Sequence, residues 1–192
     1  MRLLRASGAL AVVLVLVLVL ILVGRPLSTE DLWFHLKMGE TYWTQGLWPL
    51  EDPMLFTGIR PVQHEWLFGV LVHLVQRLVG FQGLRVLALL LVGGTLTLAY
   101  SLFRREARAR VPALWALLVF TVLAWPRFVQ LRPDLITIPS ALLLYRLLVE
   151  PARAPSRGAI AGALAILLLW VNMHSLFAVG LALLCAALLG LW

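Results

Sequence analysis

Five residues able to hold or move a proton, Glu30, Asp31, His35, His64 and Glu65, lie in one polar stretch from Ser28 to Trp66. They form two short patterns, Glu30-Asp31-Leu32-Trp33-Phe34-His35 and Gln63-His64-Glu65-Trp66. Two later polar clusters add Arg127, Arg132 and Asp134, then Asn172 and His174. A carboxylate can take the proton of an acceptor hydroxyl. Arginines can neutralise a departing phosphate through paired N–H donors. Acids and arginines gathered at one membrane face suit a reaction on a phosphate-bearing lipid. His64 beside Glu65 adds a candidate metal site, although two histidines and scattered acids make no ligand-spacing pattern.

Each of these groups also has an ordinary structural use. Ser28-Thr29-Glu30-Asp31 matches a capping box, and an acid in a first helical turn gains ~0.3–1 kcal/mol from the helix dipole alone. Glu65 and Asp134 fall near expected helix starts, where the same account applies. His35 lies one helical turn after Asp31 and can simply hydrogen-bond to it. His174 can cap a helix turn after Asn172. Arg127 and Arg132 can reach lipid headgroups by snorkelling. The tryptophans fit a membrane-interface belt.

The elements that would position these groups are membrane helices. The chain has 192 residues, 62% of them hydrophobic and 13% charged, whereas about a quarter of a soluble domain is charged. Several windows reach the roughly 20 apolar residues needed to cross a bilayer. Backbone in lipid must satisfy its own N–H and C=O groups, so the expected class is all-α. The single cysteine, Cys185, excludes an intrachain disulfide and a cysteine-based metal site. The +7 net charge sits in short loops between apolar runs, which points to membrane topology and not to nucleic acid.

The order of runs predicts a polytopic protein with about six transmembrane helices and two juxtamembrane helices in the first outer loop. The expected spans are residues 8–24, 83–103, 111–125, 133–149, 158–171 and 176–192, with an outer loop over 25–82. The first run ends in Gly24-Arg25-Pro26 and lacks a small-residue cleavage site, so it reads as a retained helix. Within the outer loop, one helix is expected from about Thr29 to Gln45, ended by Gly46, and another from near His64 to about Val79. The second is too short to assign by length. If it crossed the bilayer, the run Arg104-Arg105-Glu106-Ala107-Arg108-Ala109-Arg110 would lie outside. The positive-inside rule therefore lays it along the interface. With the N-terminus cytoplasmic, nine arginines against two glutamates fall inside, and the seven remaining basic residues balance the seven remaining acids outside.

An outward helix, an acidic outer loop, an inward helix, a basic turn, an outward helix and Arg132-Pro133-Asp134-Leu135 follow in that order. This order resembles the N-terminal half of the GT-C superfamily, the polytopic glycosyltransferases that use polyprenyl-phosphate sugars. Protein O-mannosyltransferases and the aminoarabinose transferases of lipid A are similar in this respect. So are bacterial membrane proteins with an Asp-x-Trp-x-His-Leu signature, which reads here Asp31-Leu32-Trp33-Phe34-His35-Leu36 and continues through Gly39, Gly46, Pro49, Asp52-Pro53 and Glu65-Trp66.

The resemblance implies a sugar moved from a polyprenyl-phosphate donor to a hydroxyl at the periplasmic face of a bacterial inner membrane. It implies Asp31 as the base, with Glu30 as second choice because the family's acid pair usually runs Asp-Glu. Glu65, with His64 beside it, takes the place of an acid that helps bind metal or phosphate, which makes a divalent ion the expected cofactor. Asp134 matches an acid at the outer start of the fourth span, and His174 a residue that faces the lipid phosphate. His35, Arg127 and Arg132 complete the expected substrate contacts. GT-C enzymes usually have nine or more spans, so a C-terminal half or a partner subunit is also expected. The competing expectation is a non-catalytic membrane component that binds a lipid carrier or serves a transporter. The two differ on whether Asp31, Glu65, Asp134 and His174 share one cavity.

Overall fold

The computed structural model describes residues 2–26, 30–54, 65–150 and 154–190, apart from the side chains of Arg2 and Glu30. Every regular element among them is helical. They are α1 (Arg2–Gly24), α2 (Glu30–Gln45), α3 (Trp66–Glu106), α4 (Arg110–Phe128), α5 (Asp134–Leu144), α6 (Arg157–Met173) and α7 (Phe177–Gly190), with a π-helical turn, Tyr145–Val149, continuing α5. The all-α expectation holds. Helices Leu3–Gly24, Trp66–Glu106 and Arg110–Phe128 are long and apolar enough to cross a bilayer, whereas Arg157–Met173 and Phe177–Gly190 are apolar but shorter. Leu20, Leu90, Leu123 and Leu168 are among many large apolar side chains left exposed, as expected where hydrocarbon and not water is the neighbour.

The helix ends follow local chemistry. Gly46 takes φ +86° and its N–H reaches the carbonyl of Tyr42, so α2 stops on a left-handed glycine. α3 is two helical segments, 66–79 and 81–106, broken at Gly80, where φ is 75° and ψ is −167°. That combination is open essentially only to glycine. The break falls between the two expected helices, about 64–79 and 83–103. Ser156 caps α6 by accepting the N–H of Ala159 at 3.2 Å.

α2 and the first segment of α3 cross at a glycine pair. A Cβ on Gly39 would intrude on the carbonyl of Gly69, and a Cβ on Gly69 would come 3.1 Å from the carbonyl of His35. Only two bare backbones allow this approach, and it brings the start of α2 against the start of α3. Phe68 and Val72 of α3 and Leu32 of α2 are buried in the resulting core, together with Leu131 and Leu135. Trp170 anchors a second cluster with Leu144, Leu148 and Ala163.

The helices share two ends. Arg105 at the C-terminus of α3 pairs with Glu150 after α5 at 3.1 Å. Gly8 of α1 faces Val111 at the start of α4. The arginine-rich turn, the α5 end and the N-terminal part of α1 thus lie at one end. The starts of α2, α3 and α5 and the ends of α4 and α6 lie at the other, the length of α4 away, about 28 Å by helical rise.

Candidate active site

The residues singled out in three separate segments meet at that second end. Asp31, His35, Glu65, Arg127, Arg132, Asp134 and His174 line one cavity of about 250 Å³, with Pro133 and Leu176. Asp31 and His35 come from the first two turns of α2 and share a face because they are four residues apart. Arg127 ends α4, Arg132 lies in the turn that follows, and Asp134 opens α5. His174 terminates α6, in extended backbone at φ −157° and ψ 139°. Glu30 opens α2, but its side chain lies outside the described residues, as does all of His64. The expected capping residues Ser28 and Thr29 are outside them too.

Each carboxylate is met by a donor. Asp31 forms an ion pair with the Nη2 of Arg132, and the Nη1 of the same guanidinium donates to Gln130 Oε1 at 3.0 Å. Asp134 Oδ2 lies 3.4 Å from Arg127 Nη1. Glu65 Oε1 accepts from Ser175 Oγ at 3.3 Å and faces His174 Nε2 at the same distance. Its other oxygen is 3.8 Å from His35 Nε2.

Glu65 does not cap its own helix. It stands at the N-cap of α3 with φ 61° and ψ 17°, and its side chain makes no capping bond. A non-glycine residue in this left-handed region costs about 1–2 kcal/mol. The conformation turns the carboxylate away from its helix toward the α6–α7 turn, so strain and contact are coupled at a candidate functional residue. The capping role therefore does not account for Glu65. His174 does close α6, through its backbone N–H to Trp170 at 2.8 Å, while its imidazole faces the cavity.

His174 is buried, and burial pushes its pKa down; Glu65 and Asp134 partly oppose this, while Arg127 and Arg132 add to it. The ring is thus neutral near pH 7 and carries one proton. Nε2 faces a carboxylate and must donate, so Nδ1 accepts. Thr137 Oγ1, 2.5 Å from Nδ1, donates to it, and itself accepts from Trp170 Nε1 at 2.9 Å. This tautomer is assigned from the hydrogen-bond network. The chain Trp170–Thr137–His174–Glu65 joins α3, α5 and α6 at the cavity wall.

Thr137, Trp170 and Ser175 were not among the expected site residues. Thr137 lies three residues after Asp134 and Trp170 four before His174, spacings that put each pair on one helix face. Asn172, noted in the sequence, braces the site from behind: Trp66 Nε1 donates to its Oδ1 at 2.8 Å. His35 packs edge-on against Phe68, ring centroids 5.0 Å apart.

Among the described residues, no group of three His, Cys, Asp or Glu side chains is arranged to hold a metal ion. Glu65 is engaged by His174 and Ser175, and His64, the other expected metal ligand, lies outside the described residues. Comparison with known protein families, curated proteins and solved structures finds no match to this chain.

Proposed function

We propose that this chain is, or belongs to, a membrane glycosyltransferase of the GT-C type, working on a polyprenyl-phosphate sugar at the outer face of a bacterial inner membrane. One observation carries the reading: acids and arginines from α2, the start of α3, α4 and the turn into α5, together with His174, line a single cavity at the end opposite the arginine-rich turn. In the proposed step, Asp31 takes the proton of the acceptor hydroxyl. The hydroxyl oxygen bonds to the sugar's C1, and the bond from C1 to the phosphate oxygen breaks. The electron pair leaves with the phosphate, whose charge is met by Arg127 and Arg132. Glu65 and His174 shape the opposite wall, and His35 supports Glu65.

The accompanying topology has six spans, formed by α1, the second segment of α3, and α4 to α7, with the N-terminus in the cytoplasm. The gathering of Arg105, Glu150 and the α1 N-terminal part at one end supports it. The first segment of α3 then lies with α2 at the outer interface.

A membrane-extract transfer assay tests the reaction. Asp31→Asn is expected to lower sugar transfer from a polyprenyl-phosphate donor by about 100-fold or more, the range for loss of a general base. Transfer at the wild-type rate would sink the assignment of Asp31. The pairing of every described cavity carboxylate also fits a second reading, a non-catalytic subunit that binds a lipid carrier. In that case conservative changes at Asp31, Glu65 and Asp134 leave function intact.

A further inference from the structure

The ion pairs of the cavity are not equally secure. Glu65 and Asp134 expose only 14% of their side chains, whereas Asp31 exposes 41% and its partner Arg132 33%. A pair this open to solvent is held weakly. It also occupies the Asp31 oxygen, Oδ2, that would otherwise be open to the proton of an acceptor hydroxyl. Arg132 has a second attachment. Its Nη1 is bonded to Gln130 Oε1 at 3.0 Å, a residue of the same turn, so leaving Asp31 does not carry the guanidinium away from the cavity. Lys37, the lysine of α2, is already engaged by Glu40 at 2.9 Å.

We infer that the Asp31–Arg132 ion pair is a latch opened by the phosphate group of the donor, so that Asp31 becomes a proton acceptor only once the donor is bound. This rests on the phosphate-donor reading above. A phosphate offers several oxygens and more negative charge than a carboxylate, and a guanidinium binds it through two parallel N–H donors. As phosphate enters, Arg132 transfers its Nη2 donor from Asp31 to a phosphate oxygen while keeping Gln130. Arg127, 55% exposed beside Asp134, meets the same phosphate from the end of α4. Asp31 loses its partner at the moment the leaving group is in place, and its Oδ2 is then open to the acceptor hydroxyl. The order of events is donor first, acceptor deprotonation second.

The test is a double-mutant cycle on phosphate binding, using the full chain in nanodiscs with farnesyl phosphate as the probe and inorganic phosphate as the headgroup-only arm. Asp31→Asn removes the competitor for Arg132 and is expected to tighten farnesyl phosphate binding about tenfold. Arg132→Gln weakens binding, and in that background Asp31→Asn no longer tightens it. Asp52→Asn, outside the cavity, changes nothing. Arg132→Met, which removes the charge and keeps a long stem, gives the same cycle if the glutamine variant does not fold. No farnesyl phosphate binding in any variant overturns the phosphate reading, and the latch with it. Binding that Asp31→Asn tightens equally with or without Arg132 shows general charge repulsion, and overturns the latch while leaving the phosphate site standing. Equal binding of inorganic phosphate assigns recognition to the headgroup, the group the latch requires; a response to farnesyl phosphate that survives removal of both arginines would assign it to the hydrocarbon chain and overturn the latch.

Discussion

Glu65 and His174 define the site at the scale of single residues, because each gives up an easier arrangement to face the other. Glu65 takes a left-handed backbone, and His174 stays neutral in a buried position between carboxylates and arginines. The His174 effect has a sign that can be measured. Folding holds its pKa below the free imidazole value of about 6.5, so the unfolded chain binds more protons and stability rises with pH. The contribution is complete above the free value and is lost as pH falls through the folded one. The thermal midpoint in detergent should therefore drop between about pH 7 and pH 5, and His174→Gln should flatten that slope. An equally steep slope in His174→Gln would assign the dependence to other groups. The same pair shows the limit of spacing rules. Acids near helix starts suggest capping, and that account is sound for many proteins. Here Glu65 makes no capping bond, because Ser175 and His174 offer partners that a helix end does not.

At the scale of elements, the glycine crossing of α2 and α3 decides how the site is assembled. Gly39 is part of the Asp-x-Trp-x-His-Leu continuation, and its physical use is now visible: it lets α2 meet Gly69 backbone to backbone. Asp31 and His35 are brought up to Glu65 by that contact. Gly39→Ala should lower stability by about 1–3 kcal/mol, the usual cost of overpacking. Gly93→Ala is the control, since nothing lies within 4 Å of a Cβ there. Equal thermal midpoints for the two variants would show that the crossing is looser than the geometry indicates. Two element boundaries were legible without coordinates. Gly46 ends α2 through its left-handed conformation, and the expected helices ending near Val79 and starting at Gly83 bracket the break at Gly80. The strict glycine requirement at Gly80 was not legible, since a glycine in an apolar run carries no mark of its φ and ψ.

At the scale of the molecule, the basic end and the charge-balanced end opposite it underlie the proposed orientation. The proposed topology puts Arg105 in the cytoplasm. Cys185 is the chain's one cysteine, so Arg105→Cys in a Cys185→Ala background gives a single reporter. It should react with a membrane-impermeant maleimide only after the cytoplasmic face is opened. Labelling from the outer face of intact cells would instead carry residues 66–79 across the bilayer and overturn the six-span arrangement. It would also put Asp31, Glu65 and Asp134 at odds with a shared outer cavity, so the measurement bears on the site as well as on the orientation.

The sequence by itself determined the material and the ends. Apolar composition forces helices, because backbone in lipid has no other hydrogen-bond partners. Charge distribution separates a basic end from a charge-balanced one, and residue types supply the candidates for chemistry. Only the tertiary structure decided their relations. The bonds that build the site join residues 110 apart for Ser175 and Glu65, and 37 apart for Thr137 and His174. The pairing of Asp31 with Arg132 likewise crosses from α2 to the turn before α5. Helical periodicity specifies neighbours three and four residues away. It carries no information about which helix ends come together, which is set by packing such as the Gly39–Gly69 contact and the burial of Trp170.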